Sequence, residues 1–191
     1  DHRDLHSFPT RRSSDLYFEA QELERSQVVL DVEQEVDESI RISNIKFCNY
    51  EPTNPDTLWI FQRMNMVIDA VNNQYYNFDL NGYDFFQYTE YDAHENGKYD
   101  YHMDTLMGNT IPKDMIETRK LSVTMCINEP GEEYEGGEFQ INNSEEKKAS
   151  TIETKKGRMI LFPSFMIHRV APVTKGKRKS IVVWVNGPKF R

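Results

Sequence analysis

From Phe85 to Val185 the chain reads as short segments whose side chains alternate with a period of two, broken by turn residues every few positions. That period sends successive side chains to opposite faces of an extended strand. Phe85, Gln87, Thr89 and Tyr91 share one face of a first strand. Ser122, Thr124 and Cys126 alternate against Leu121, Val123, Met125 and Ile127 in a second. Glu138 to Asn142, Thr151 to Thr154, Met159 to Phe162, Ile167 to Val170 and Lys179 to Val185 continue the series. Glu95-Asn96-Gly97 is a tight turn, and Asn-Gly is a hairpin signal. Lys155 to Arg158 and Lys175-Gly176-Lys177 read as connecting turns. Upstream, Val28 to Phe47 also alternates, and Asn49 to Pro55 reads as loop. Asp56-Thr57 can cap a helix through about Val71, with Leu58, Phe61, Met64, Val67, Ile68 and Val71 on its buried face. One helical region followed by many short strands predicts a mainly β fold with supporting helices. A double-sheet jelly roll is the economical closure for eight short strands.

His102 and Asp104 are two residues apart at the end of one such strand, and His168 lies on a late strand. Residues two apart project to the same face, so His102 and Asp104 can bind one metal ion together. Strand pairing in a jelly roll can bring His168 to them. Two imidazoles and one carboxylate occupy one face of an octahedral ion and leave the other open, as oxygen chemistry at non-heme Fe(II) requires. Zinc with three protein ligands is a competing reading of the same residues. Arg178, ten residues after His168 and two before Ser180, can pair bidentately with a dicarboxylate. Its neighbours Lys175, Lys177 and Lys179 read as solvated turn charges.

Bulk properties narrow the function classes. The net charge of -8 argues against a broad nucleic-acid or anionic-membrane surface. No apolar run approaches the roughly 18 to 20 residues of a membrane span. Two cysteines, Cys48 and Cys126, make no disulfide framework; reduced thiols in a cytoplasm are expected. Trp184 and Phe162 read as core, His94 as surface. Tyr75, Tyr76 and the acidic Glu129 to Glu135 loop are candidates for a substrate groove.

The segments Arg119 to Thr124, Tyr134 to Phe139, Gly157 to Ser164, His168 to Gly176 and Arg178 to Ser180 resemble the prolyl 4-hydroxylase-like 2-oxoglutarate/Fe(II) dioxygenases. The resemblance runs from about Arg41 to the C-terminus and is strongest from Gln87 onward. It implies a double-stranded β-helix (a cupin-like jelly roll) with iron on His102, Asp104 and His168. Arg178 would grip the distal carboxylate of 2-oxoglutarate, and Tyr91, Thr124 and Ser180 would contact that cosubstrate. Some relatives carry Tyr at the position of Cys126. The implied cosubstrates are 2-oxoglutarate and O2, with room for ascorbate as an accessory reductant. Peptidyl proline is the first substrate reading, and a free amino acid or small metabolite is the alternative. Asp104 argues against a halogenase, which would need that carboxylate absent. A non-catalytic metal-binding β-domain is the reading from a different class. No nucleic-acid or membrane partner is expected, and the sequence leaves the oligomeric state open.

Residues 1–16 resemble one translated frame of a short-read sequencing adapter. They are expected to be an artefact outside the fold, with the natural start beyond this sequence and a single dioxygenase domain over 17–191. They hold three acidic and three basic residues, so the net charge is the same without them.

Overall fold

The computed structural model describes residues 17–18, 22–30, 33–105, 116–143 and 148–190. Residues 1–16, and most of the turn expected between Asn143 and Lys148, lie outside them. The strands are β1 (Glu24–Arg25), β2 (Val28–Leu30), β3 (Glu33–Glu35), β4 (Arg41–Ile42) and β5 (Asn44–Asn49), then helix α1 (Pro55–Val71). After α1 come β6 (Phe85–Asp92), β7 (Lys98–His102), β8 (Glu117–Cys126), β9 (Tyr134–Gly136) and β10 (Phe139–Asn143). The series closes with β11 (Lys148–Ile152), β12 (Met159–Pro163), β13 (His168–Val170) and β14 (Val173–Pro188).

Two antiparallel sheets face each other. The larger runs β1-β5-β6-β14-β8-β12, with β9 added to β14; the smaller runs β11-β10-β13-β7-β4. This is the expected jelly roll. Alternation gives the larger sheet two unlike faces. Phe86, Tyr88, Leu121, Val123, Met125, Ile181, Val183 and Val185 form the outer face and pack with Ile60, Phe61, Met64 and Ile68 of α1. Each such buried side chain contributes about 1.5–3 kcal/mol of transfer free energy. Gln87, Thr89, Tyr91, Ser122, Thr124, Cys126, Arg178, Ser180 and Trp184 belong to the opposite face, towards the smaller sheet.

Several sequence expectations are corrected. The helix starts earlier than Asp56: Asn54 is its cap, accepting a hydrogen bond from the Asp56 amide at 3.0 Å. Val28 to Phe47 is not one strand but β2, β3, β4 and the start of β5. The turn at Asn96-Gly97 exists, with Asn96 left-handed, but it closes no hairpin. β6 pairs with β5 and β14, while β7 pairs with β4 and β13, so this turn carries the chain from one sheet to the other. Lys175-Gly176-Lys177 is not a connecting turn. It lies inside β14, where Lys175 and Gly176 pair with β9.

Candidate metal centre and adjoining cleft

His168 opens β13 directly opposite His102, the last residue of β7. That register sets the two imidazoles 4.2 Å apart, centroid to centroid. Asp104 follows two residues later, its backbone amide donating to the Ser164 carbonyl at 2.9 Å. Its two carboxylate oxygens stand 3.5 Å from His102 Nε2 and 3.5 Å from His168 Nε2. The three ligand atoms lie within 4.8 Å of one another. Nδ1 of His102 sits 2.8 Å from the Asp100 carbonyl, and Nδ1 of His168 sits 2.9 Å from that of Met166. A carbonyl only accepts, so these contacts place the proton on Nδ1 and leave both Nε2 lone pairs facing Asp104.

Protonation suits the same purpose. Burial, with His102 beside it, lowers the pKa of His168 against the pull of Asp104, which favours the neutral ligand form. Burial works against the charge of Asp104, but the adjoining His102 and His168 outweigh it, and the carboxyl is held well below its usual range. Two neutral nitrogen donors and one ionised carboxylate fit a divalent cation. Tyr99 stacks on His102, centroids 3.5 Å apart and planes 10° from parallel. Burial pushes its phenol up to about 12.

Arg178 is 1% exposed and pairs across the sheet with Tyr91. Its Nη1 donates to Ser180 Oγ at 3.0 Å, and the guanidinium lies 5.5 Å from the Tyr91 ring centroid. Its Nε is buried without a partner. Among the described residues no carboxylate forms an ion pair with it, and a buried charge without one is costly. A dicarboxylate would satisfy it. The surroundings are apolar: Tyr91, Cys126, Tyr134, Phe139, Phe162, Val170 and Val173 form one cluster, within which Tyr134 Oη and Cys126 Sγ are 3.0 Å apart. Gly137 is required here, since a Cβ would come within 2.9 Å of Arg178 Cδ. Thr124 is buried two residues before Cys126, opposite Val182 of β14. The structure thus gathers Tyr91 and Ser180 around Arg178, with Thr124 on the same sheet face.

A cleft of about 780 Å³ opens on the metal ligands, lined by His102 and Asp104 together with Gln87, Tyr99, Arg41, Arg119 and Trp184. Trp184 therefore borders the cleft rather than the core. Arg119 lies 4.1 Å over its ring and donates to the Asp104 carbonyl at 3.2 Å. Strict alternation along β8 would send Arg119 outward with Leu121. A bulge prevents this: Val185 pairs with Leu121, but Asn186 pairs with Arg119, and Lys120 is skipped. Tyr75 and Tyr76 belong to the α1 side, where Tyr76 Oη donates to the Leu161 carbonyl at 3.1 Å. The acidic Glu129 to Glu135 loop supplies none of the residues that line this cleft.

The sequence profile of the 2OG-Fe(II) oxygenase superfamily matches residues 86–186. A PKHD-type hydroxylase of Shewanella baltica (strain OS155) is 36% identical over 87 residues, covering 46% of this chain and 37% of its own length. Another, from Janthinobacterium sp. (strain Marseille), is 37% identical over 97 residues, covering 50% of this chain and 41% of its own. The chain thus matches between 37% and 41% of the length of these curated relatives. A prolyl-4-hydroxylase of Pseudomonas putida superposes with a TM-score of 0.59 at 21% identity, over 79% of this chain and 72% of that one. A prolyl hydroxylase of Trichoplax adhaerens, solved with a hypoxia inducible factor oxygen degradation domain peptide, gives 0.66 at 20% identity, over 90% and 73%. These two likenesses establish a shared fold.

Proposed function

The chain belongs to the 2OG-Fe(II) oxygenase superfamily, and on that premise we propose that it hydroxylates an aliphatic carbon, with a prolyl ring in a peptide as the first substrate. The observation that carries this reading is the conjunction of two unfilled demands. His102, Asp104 and His168 present a divalent-cation donor set, and Arg178 is a buried cation awaiting an acid. The prolyl substrate is suggested by the names of the similar hydroxylases.

Nε2 of His102, a carboxylate oxygen of Asp104 and Nε2 of His168 would hold Fe(II). When bound, the iron and 2-oxoglutarate supply the oxidation, consuming O2 and releasing succinate and CO2. The protein's own part is positional. Arg178 would take the distal carboxylate by a charge-assisted fork, steadied by its bond to Ser180. The apolar cluster around it keeps water from competing for that contact. Carbonyls of Asp100 and Met166 fix the two imidazoles in orientation. The open cleft beside His102 and Asp104 would admit the substrate carbon.

The test is incubation of Pro-containing peptides with enzyme, Fe(II), 2-oxoglutarate and O2, read by mass spectrometry and succinate release. One added oxygen on proline with matching succinate is the expected result. Oxygen appearing only on a free amino acid or small metabolite would overturn the prolyl assignment. Absence of succinate under all conditions would overturn the oxygenase reading.

A further inference from the structure

The cleft that opens on His102 and Asp104 is bordered by two arginines, Arg41 and Arg119, that make no salt bridge to a carboxylate among the described residues. Arg41 is 6% exposed; its Nε donates to the Ser43 hydroxyl at 3.0 Å, and its guanidinium carbon lies 4.6 Å from the centroid of the Tyr99 ring. Arg119 rests on Trp184 and donates to a backbone carbonyl. Among the described residues neither makes a salt bridge to a carboxylate. A third arginine, Arg25, differs in being paired with Glu38 and Glu95, each at 2.7 Å. The acids bordering the cleft are Glu24, Glu117 and Asp104. Glu117 is engaged by Asn81 at 2.6 Å, Glu24 is exposed, and Asp104 faces the two histidines. One more polar group lacks a partner here, since Trp184 Nε1 is buried with none.

Arg41 is buried and Arg119 half-buried; the nearest acidic charge acting on Arg119 is that of Asp104, which faces the two histidines, and guanidinium groups so placed are costly unless an anion completes them. The planar fork of Arg suits a carboxylate. We propose that Arg41 and Arg119 together recognise a carboxylate on the substrate, held close to the carbon that is hydroxylated. This deepens the function proposed above and rests on it for the word substrate. The carboxylate has two sources of identical chemistry: an acidic side chain next to the reacting residue, or the α-carboxylate of a terminal or free amino acid. The net charge of -8 favours basic partners over the surface as a whole, whereas this cleft selects the opposite sign locally.

Trp184 and Trp59 are the two tryptophans; Trp59 lies on α1, so quenching of Trp184 reports occupancy of the cleft. Binding is measured without O2, with Fe(II) and saturating 2-oxoglutarate, so that the Arg178 site is filled. One probe pair is acetyl-Ala-Asp-Pro-Ala-amide against acetyl-Ala-Asn-Pro-Ala-amide; the other is N-acetylproline against its amide. The carboxylate member of at least one pair should bind tenfold or more tightly, about 1.4 kcal/mol. Preference in the first pair assigns a neighbouring acidic side chain, and in the second an α-carboxylate. Arg41→Gln and Arg119→Gln should each reduce the preference to less than threefold, while Arg41→Lys and Arg119→Lys, which keep the charge, should retain part of it. Equal binding within both pairs, or an undiminished preference in both Gln variants, overturns the proposal. Succinate release with neutral peptides is a separate readout. Turnover without any carboxylate preference leaves the oxygenase reading standing and this inference fallen, and a carboxylate preference without turnover does the reverse.

Discussion

At the scale of single residues, the proposed function rests on four side chains. His102→Ala, Asp104→Ala and His168→Ala should each abolish Fe(II)-dependent succinate formation, because the donor set has three members and two would not fix the ion in place. Iron titration by equilibrium dialysis, run beside the succinate assay, checks whether the ion is lost with the activity; a fully active variant would remove that residue from the site. Arg178→Ala should raise the KM for 2-oxoglutarate while leaving iron affinity nearly unchanged. Charge-assisted hydrogen bonds contribute about 1.5–3 kcal/mol, which corresponds to roughly tenfold to a hundredfold. Arg178→Lys should recover only part of this, lacking the fork. An unchanged KM would return Arg178 to a structural role. The sequence singled out these four residues by chemical type and spacing, and the structure brings the three candidate ligands together even though Asp104 lies in a bend beyond the end of β7. Arg119 was not singled out. A bulge at Lys120 reverses its face, and nothing in local composition marks where a ladder will skip a residue. Trp184 was misplaced for a related reason: an indole on an inner face reads as core until the opening beside it is known.

Among elements, the link between β6 and β7 shows how a correct local signal can belong to the wrong topology. Asn96-Gly97 favours a tight reversal, and a reversal is present, but its two strands enter different sheets. Gly97 is needed because a Cβ would lie 2.5 Å from the Asp92 backbone nitrogen and 2.7 Å from the Tyr91 carbonyl carbon. Forcing such contact costs about 1–3 kcal/mol. Gly97→Ala should therefore lower Tm by several degrees, at roughly 2–4 °C per kcal/mol in a chain of this size. Since the turn leads into β7 and His102, iron affinity should fall with it. Calorimetry and iron titration on this variant check both; an unaltered Tm would mean that the backbone there relaxes freely. β14 presents the reverse problem. The run Lys175-Gly176-Lys177 looks like a break, yet backbone pairing with β9 carries the strand through it, a long-range contact that no window of adjacent residues contains.

For the whole molecule, the jelly roll was legible because alternation over many short segments admits few closures, and α1 because its apolar stripe is periodic. The register that sets His168 opposite His102 was not legible, since it depends on pairing between segments 66 positions apart. Among the described residues near the N-terminal end, Phe18 is 2% exposed and stacks on Tyr88 at 4.6 Å, with Tyr17 packed against the same cluster. A chain starting at Tyr17 should thus match the full chain in Tm and iron binding, whereas Phe18→Ala should lose about 3–5 kcal/mol; thermal melts of both decide it, and a clear drop on removing residues 1–16 would make that segment part of the fold. No helix among the described residues is long and apolar enough to cross a membrane. One last property follows from the length of β14. Arg178 and Trp184 stand on a single continuous strand, six residues or about 20 Å apart, so one backbone acts as the ruler between the Arg178 pocket and the cleft beside Trp184. Adding or deleting one residue between them would turn one of the pair outward, and two would change the separation by a whole repeat of about 7 Å. The separation cannot be tuned gradually along this strand. Divergence towards larger or smaller substrates is therefore expected in surrounding loops and side chains, with the interval of six kept intact.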